Sequence, residues 1–555
     1  MRDEMTRKAA LATALAALIA TPPAMAAPVR LVSPEALYVR ARAAGVEGDT
    51  RIASEGFAAL LTREPTNALL AQRAYSQAMA SGDIPLALRA VKLLDKQGGI
   101  RPDGRLLLAI EAVHAGNWAE ARALVDKVDQ DRLFSFLVPM MRAWIALGAH
   151  DGDPLAIIEG ARTVAIAQPY YAEQRAMLLI AMGRTEEGVA ALRSVGSNRP
   201  VRLRLIAAGA LAATKQKDRA LALLDGDDPA FVAARARISA GKRLSAPIDG
   251  PAAGIAALLV RVASDFGQPQ LAGIGLTLAR FATYLAPADG SGWLVTADLL
   301  GTLRRLDASL EALGHVDADD PFAPTALALR VAMLNQLGNR EGALTEALKA
   351  TKTPGAGTAA WSRVGDVYMA MSRPADAAKA YGEAIDRFDA NKGPSDMLWP
   401  LLLQQGAALD LAGDWMQSKV ALGKALALAP DQALVLNQYG YSQIAHREDV
   451  TNASALIERA SKLRPDDPAI TDSLGWARYL LGDVAGAVPL LEKAAAGDPI
   501  EPTINEHLGD AYWASGRLYE ARYAWRAALV TAEEKDHGRL TAKIDTGLSE
   551  ATAAP

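Results

Sequence analysis

Between residues 437 and 513, aromatic and polar side chains recur at fixed offsets from three glycines. Asn437, Asp472 and Glu506 stand three residues before Gly440, Gly475 and Gly509, and Tyr441, Trp476 and Asp510 stand one residue after them. Tyr479 and Trp513 follow the last two glycines by four residues. Rings interleaved with amides and carboxylates suit the gripping of a peptide or helix: rings supply contact area and polar groups supply hydrogen bonds. The alternative use of the same side chains is packing against neighbouring helices. Six of the nine tryptophans and eight of the thirteen tyrosines fall between Trp361 and Trp525, so the aromatic content is concentrated around this stretch.

Bond-making chemistry has no comparable constellation. The sequence contains no Gly-x4-Gly-Lys-Ser/Thr, no His-Glu-x-x-His and no Gly-x-Ser-x-Gly. Gly273-Ile274-Gly275 has neither a preceding strand pattern nor a third glycine, so it does not read as a nucleotide loop. The histidines at 114, 150, 315, 446, 507 and 537 include no pair at helical ligand spacing and are expected on surfaces or between helices. The acidic runs Asp317–Asp320 and Asp225–Asp228 lack the glycine and terminal glutamate of a calcium loop. Each precedes a proline, where acidic residues favour the positive end of a helix dipole. With no cysteine at all, disulfides, thiol catalysis and cysteine-metal sites are excluded. No catalytic residue, metal site or cofactor is expected. The charge is nearly balanced, 59 Lys and Arg against 63 Asp and Glu, which argues against a broad nucleic-acid-binding surface.

The elements that position the stripe follow from a period. Gly82-Asp83 is followed by Ala87, Gly116-Asn117 by Ala121, Gly338-Asn339 by Ala343, Gly482-Asp483 by Ala487 and Gly516-Arg517 by Ala521. Gly82 to Gly116 and Gly482 to Gly516 are each 34 residues, as are Pro287 to Pro321 and Pro465 to Pro499. A glycine that ends one helix, a polar residue that caps the next and a proline that closes the unit describe a helix-turn-helix repeat. Small residues at recurring positions let the paired helices approach, and each unit must stack on its neighbours to bury its apolar face. With 51% apolar residues, 5% aromatics and no alternating strand pattern, the fold expected is all-α.

These markers resemble the tetratricopeptide repeat (TPR). The best unit carries Trp361, Val364, Gly365 and Tyr368, then Ala377, Tyr381 and Ala384. Others carry Gly406, Leu409, Gly413, Leu422, Ala425 and Pro430, and Leu508, Gly509, Tyr512, Ala521, Trp525 and Ala528. The unit from Leu436 to Pro465 is stretched by one residue. The resemblance implies a right-handed superhelix, an α-solenoid, with Trp361, Tyr368, Tyr381, Tyr512 and Trp525 as packing residues. It also implies that Asn437, Tyr441, Asp472, Trp476, Tyr479, Glu506, Asp510 and Trp513 face a concave protein-binding groove. The residue after the small glycine is Asp366, Ala407, Tyr441, Trp476 or Asp510, never the asparagine of the repeats that clamp a peptide carboxylate.

Residues 1–26 read as a secretory signal: Arg7 and Lys8, an apolar run from Ala9 to Ala20, then Ala24-Met25-Ala26 as a cleavage site. Asp3 and Glu4 sit oddly ahead of it, so Met5 is an alternative start. Divergent repeats are expected over 27–240 and 241–355, with Gly241–Gly254 as a linker or long loop. The clear array covers 356–535, and 536–555 are expected as a capping helix and tail whose last residues, 550–555, fray. Over about residues 430–530 the sequence is similar to TPR proteins of Gram-negative cell envelopes. Some of these are outer-membrane lipoproteins that bring cell-wall hydrolases to a carboxyl-terminal processing protease. That similarity implies a periplasmic scaffold or adaptor binding a protein or peptide partner, an envelope protease or cell-wall enzyme among them. The absence of cysteine argues against a lipid anchor. The rival expectation is a self-associating assembly module.

Overall fold

In the computed structural model, residues 33–193, 201–245, 247–353, 356–390 and 394–554 are described. The expected signal, residues 1–26, lies outside them. Among the described residues there are thirty α-helices and no strand, arranged largely as antiparallel pairs stacked in chain order. The fold class is therefore the expected one, an all-α solenoid of helix-turn-helix repeats.

The pair Pro468–Leu480 and Val484–Gly497 shows how sequence dictates a repeat. Pro468 occupies the first turn, where its missing N–H costs nothing, and the Asp467 carboxylate accepts from the amides of Ala469 (3.1 Å) and Ile470 (3.3 Å). Gly482 turns the chain at φ 86°, a region that glycine enters without strain. Asp483 then caps the second helix by accepting from the Gly486 amide at 2.9 Å. Ala487, Leu491 and Ala494 of that helix are fully buried. Burying a leucine in this way contributes about 1.5–3 kcal/mol. The helices meet at Gly475, where a Cβ would lie 2.7 Å from Leu491 Cγ. The same close approach recurs at Gly509, where a Cβ would lie 2.4 Å from the Trp525 ring. In the stretched unit, Arg447 and Asp449 both take positive φ, 54° and 42°, and absorb the extra residue before helix Val450–Leu463.

The chain forms two compact units, and neither is continuous in sequence. Among the described residues, one comprises those up to Tyr171 together with Gly250–Phe266 and Gln270–Leu285; the other comprises those from Ala172 to Asp249, Gly267–Pro269 and those from Ala286 onward. In the first unit, helices Pro251–Asp265 and Ala272–Leu285 lie across Ala68–Ser81, Pro102–His114 and Val138–Ala149, the leading helices of three successive pairs. Gly254 makes this possible, because a Cβ there would sit 2.2 Å from Trp144, which is fully buried. Tyr284 donates to the Glu111 carboxylate, and its ring lies 4.5 Å from that of His114. In the second unit, five pairs run from Thr358 to Thr531 and a single helix, Glu534–Thr546, follows.

Candidate protein-binding face

Helices Ala433–Ala445, Pro468–Leu480 and Pro502–Ala514 lead three successive pairs and carry the eight candidate residues. Neighbouring leading helices contact one another, so their side chains form one continuous face. Trp476 is the centre of a ring stack. Its indole lies 4.0 Å from the His507 ring at an interplanar angle of 10°, and 4.8 Å from the Tyr479 ring at 13°. Tyr441 approaches His507 at 6.4 Å. Asp472 holds the His507 ring in place, with its carboxylate 2.9 and 3.1 Å from Nδ1. Burial pushes the hydroxyl of Tyr441 up, with Asp472 adding to the effect, and burial likewise raises that of Tyr479.

Glu506 and Asp510 meet cations that come from beyond the array. Lys543, fully buried on helix Glu534–Thr546, donates to Glu506 at 2.6 Å and to both Asp510 oxygens at 2.7 and 2.8 Å. Arg539, one turn earlier, pairs with Glu506 and with Asp536. Asp510 also accepts from Trp525 Nε1 at 2.9 Å and from the Ala554 amide at 3.1 Å. Burial raises its carboxyl above the ordinary aspartate range, with the Lys543 ammonium opposing.

The candidates therefore do not all stand open to solvent. Asp472, Trp476, Glu506 and Asp510 are buried, whereas Asn437, Tyr441, Tyr479 and Trp513 are half-buried. Residues 470–477 and 504–511 are buried without interruption. Eight consecutive buried residues span more than two helical turns, so both sides of each helix are covered. In helix Thr358–Ala370, by contrast, only Val364, Gly365 and Val367 are buried. Part of the cover over the last repeats is helix Glu534–Thr546 and the segment after it. Gly547 fits against Trp513, where a Cβ would lie 2.2 Å from the indole. Leu548 packs with the Trp525 cluster, and Ala554 packs with Leu474, Trp476 and Ala477. Residues 550–554 were expected to fray, and instead the chain returns over its own last repeats.

Four buried polar atoms on these three helices have no hydrogen-bond partner: Asn437 Oδ1, Gln443 Oε1, Trp476 Nε1 and His507 Nε2. His507, two residues before Gly509, counts in the sequence only as one of the scattered histidines, and the structure adds it to this face. It also adds Lys543 and Arg539. The signal for those was present: two acids four apart on one helix, 506 and 510, answered by two cations four apart, 539 and 543.

A second cleft, about 620 Å³, lies in the same unit and is lined by Leu205, Gly209, Leu244, Asp289 and Asp320 among others. Asp320 accepts there from Ser245 Oγ at 2.7 Å and from the amides of Phe322 at 2.8 Å and Gly290 at 3.3 Å. Among the described residues no cluster of histidines and carboxylates could hold a metal ion, and no helix is long and apolar enough to cross a membrane.

Comparison with known proteins agrees with the repeat geometry. The tetratricopeptide repeat profile matches residues 473–537. A TPR repeat-containing protein of Pseudomonas aeruginosa is 38% identical over 85 residues, which are 15% of this chain and 14% of that protein. Similar solved structures include the Cut9–Hcn1 hetero-tetramer of the APC/C (14% identity, TM-score 0.38, 93% of this chain and 96% of that one). Another is a tetratricopeptide repeat protein of Parabacteroides merdae (11% identity, TM-score 0.40, 47% of this chain and 99% of that one). A third is YrrB, described as a TPR protein with an unusual peptide-binding site (14% identity, TM-score 0.26, 35% of this chain and 95% of that one). The profile match falls on the pairs whose glycines, caps and buried alanines follow the repeat pattern, so residues 473–537 carry tetratricopeptide repeats.

Proposed function

We propose that this protein is an exported, non-enzymatic scaffold of the cell envelope that works in the periplasm. In this reading, the leading-helix face of its last repeats takes a peptide or helix from a partner protein. Tetratricopeptide-repeat proteins act as protein-binding scaffolds, and the envelope role follows the similarity over about residues 430–530. The partner class is an envelope protease or a cell-wall enzyme. The earlier repeats supply a second surface, so that two partners are brought to a common effective concentration. The observation that carries the reading is the continuous face of Tyr441, Trp476, Tyr479 and Trp513 with its buried acids, on which a segment of polypeptide already lies.

The test is crosslinking and capture of the full chain from its native envelope, with Asn437→Ala/Tyr479→Ala as the comparison. These two positions are half-buried, so the double variant alters the face without emptying the core at Trp476. A partner lost only in the variant supports the reading, and the same partners from both chains refute it. The rival reading, self-association, draws on the exposed row Tyr519, Tyr523 and Val530 on helix Leu518–Thr531. Concentration-dependent oligomers in sedimentation, abolished by Tyr519→Ser/Tyr523→Ser, would favour it.

A further inference from the structure

We infer that the leading-helix face of the last repeats is a site for a short peptide of small, mostly uncharged residues. Residues 547–554 occupy it as an internal stand-in that such a peptide displaces. The inference rests on the reading of this face as the partner site.

The seat of the segment is well defined at its two ends and loose between them. At one end Gly547 lies against Trp513, and Leu548 enters the Trp525 cluster. At the other, the Ala554 amide donates to the buried Asp510 carboxylate, and its methyl group, 4% exposed, joins the cluster of Leu474, Trp476 and Ala477. Between these ends the hydrogen bonds are local: Ser549 and Thr552 bond to each other through backbone and hydroxyl groups. Ser549, Glu550 and Ala551 are exposed. A short tether supplies a high effective concentration, so a weak seat is filled for as long as nothing better is present.

The seat is also incompletely used. Trp476 is 1% exposed and His507 is 0% exposed, yet the indole N–H and the imidazole Nε2 have no partner, and neither does the Asn437 amide oxygen. Buried polar groups are nearly always satisfied, so these three call for an explanation, and the backbone groups of a bound peptide would supply one. A backbone carbonyl would accept from Trp476, and a backbone N–H would donate to Asn437. These are groups that any peptide backbone carries, and the buried alanine shows that the anchoring side chain must be small.

The chain has no cysteine, so single thiols report the seat directly. In full-length protein, the Ala554→Cys thiol should react with a maleimide at least tenfold more slowly than the exposed Ser549→Cys thiol. A synthetic peptide of residues 547–554, Gly-Leu-Ser-Glu-Ala-Thr-Ala-Ala, at millimolar concentration should bring the two rates together. A labelled form of that peptide should bind full-length Ala554→Glu, whose segment cannot seat beside Asp510, at least tenfold more tightly than the wild type. The same peptide with leucine in place of its last two alanines should do neither. Equal labelling rates without peptide, or equal peptide affinity for both chains, would overturn the inference. Envelope capture separates the two readings. If Ala554→Glu gains peptide affinity while Asn437→Ala/Tyr479→Ala keeps every partner, the stand-in is real and the proposed function fails. If partner capture depends on Asn437 and Tyr479 while the peptide binds neither chain, the function stands and this inference fails.

Discussion

The Lys543→Met substitution isolates the energetics of the closed end. The Lys543 ammonium is fully buried and lies 2.6–2.8 Å from three carboxylate oxygens of Glu506 and Asp510. In the variant, Glu506 retains Arg539, and Asp510 retains Trp525 Nε1 and the Ala554 amide. Asp510 loses its cation in a site from which water is excluded. Removing one partner of a buried ion pair costs about 3–5 kcal/mol, most of it the penalty on the charge left behind. Because repeat arrays open locally, a global melting temperature would dilute this effect. The assay is therefore amide hydrogen exchange over helix Glu534–Thr546. Exchange there should accelerate by roughly two to four orders of magnitude, up to the limit set by the helix's own opening free energy. Lys535→Met is the control, because Lys535 pairs with Glu533 in solvent at 73% side-chain exposure. It should change nothing beyond about 1 kcal/mol. Unchanged exchange in Lys543→Met, or acceleration equal to that of the control, would refute the reading that the Lys543 ion pairs hold helix Glu534–Thr546 to the last repeats.

Trp476→Ala should destabilise the last repeats by about 3–5 kcal/mol, read as earlier denaturant unfolding, because a fully buried ring and its stack on His507 are both lost. Gly254→Ala should cost about 1–3 kcal/mol and raise exchange in helix Pro251–Asp265, since the new methyl group meets the Trp144 ring; unchanged exchange would show that the helices can separate freely. Burial raises the Asp320 carboxyl against the hydrogen bonds from Phe322, Ser245 and Gly290, so the folded form holds its proton to higher pH than the unfolded chain. The stabilisation is then full below the ordinary value of about 3.9 and fades as pH rises through the raised one. Protection of the Gly290 and Phe322 amides, corrected for intrinsic rates, should fall over that interval in the wild type and stay flat in Asp320→Asn.

The repeats were legible in the sequence because their determinants are local. A glycine that must turn, a carboxylate that must cap and a small residue that must admit its partner helix all act within one 34-residue unit, and Gly475, Gly482, Asp483 and Leu491 do what their spacing implies. The stripe of candidate side chains was legible for the same reason. Its surroundings were not. Lys543 and Ala554 reach the face from 33 and 44 residues away, and nothing in their own segment marks them for burial. The polar helix Glu534–Thr546 reads as a solvated cap, and only the matching i,i+4 spacing of Glu506/Asp510 and Arg539/Lys543 hints otherwise. The placement of Pro251–Leu285 across the first unit was equally out of reach, because periodicity shows which face of a helix is apolar but not which distant surface receives it.

That placement alters how the first unit unfolds. A bare solenoid behaves as a row of neighbours, in which an end repeat can peel away while the rest stays intact. Here Arg280 donates to the carbonyl of Ser81 across 199 residues of sequence, and the Glu111–Tyr284 contact spans 173. Such bridges make three repeats share a single lid, so that loosening any one of them exposes apolar surface on the others. The first unit should therefore unfold in one concerted step, with a slower search for its native pairing, whereas the last repeats retain the graded opening of a linear array.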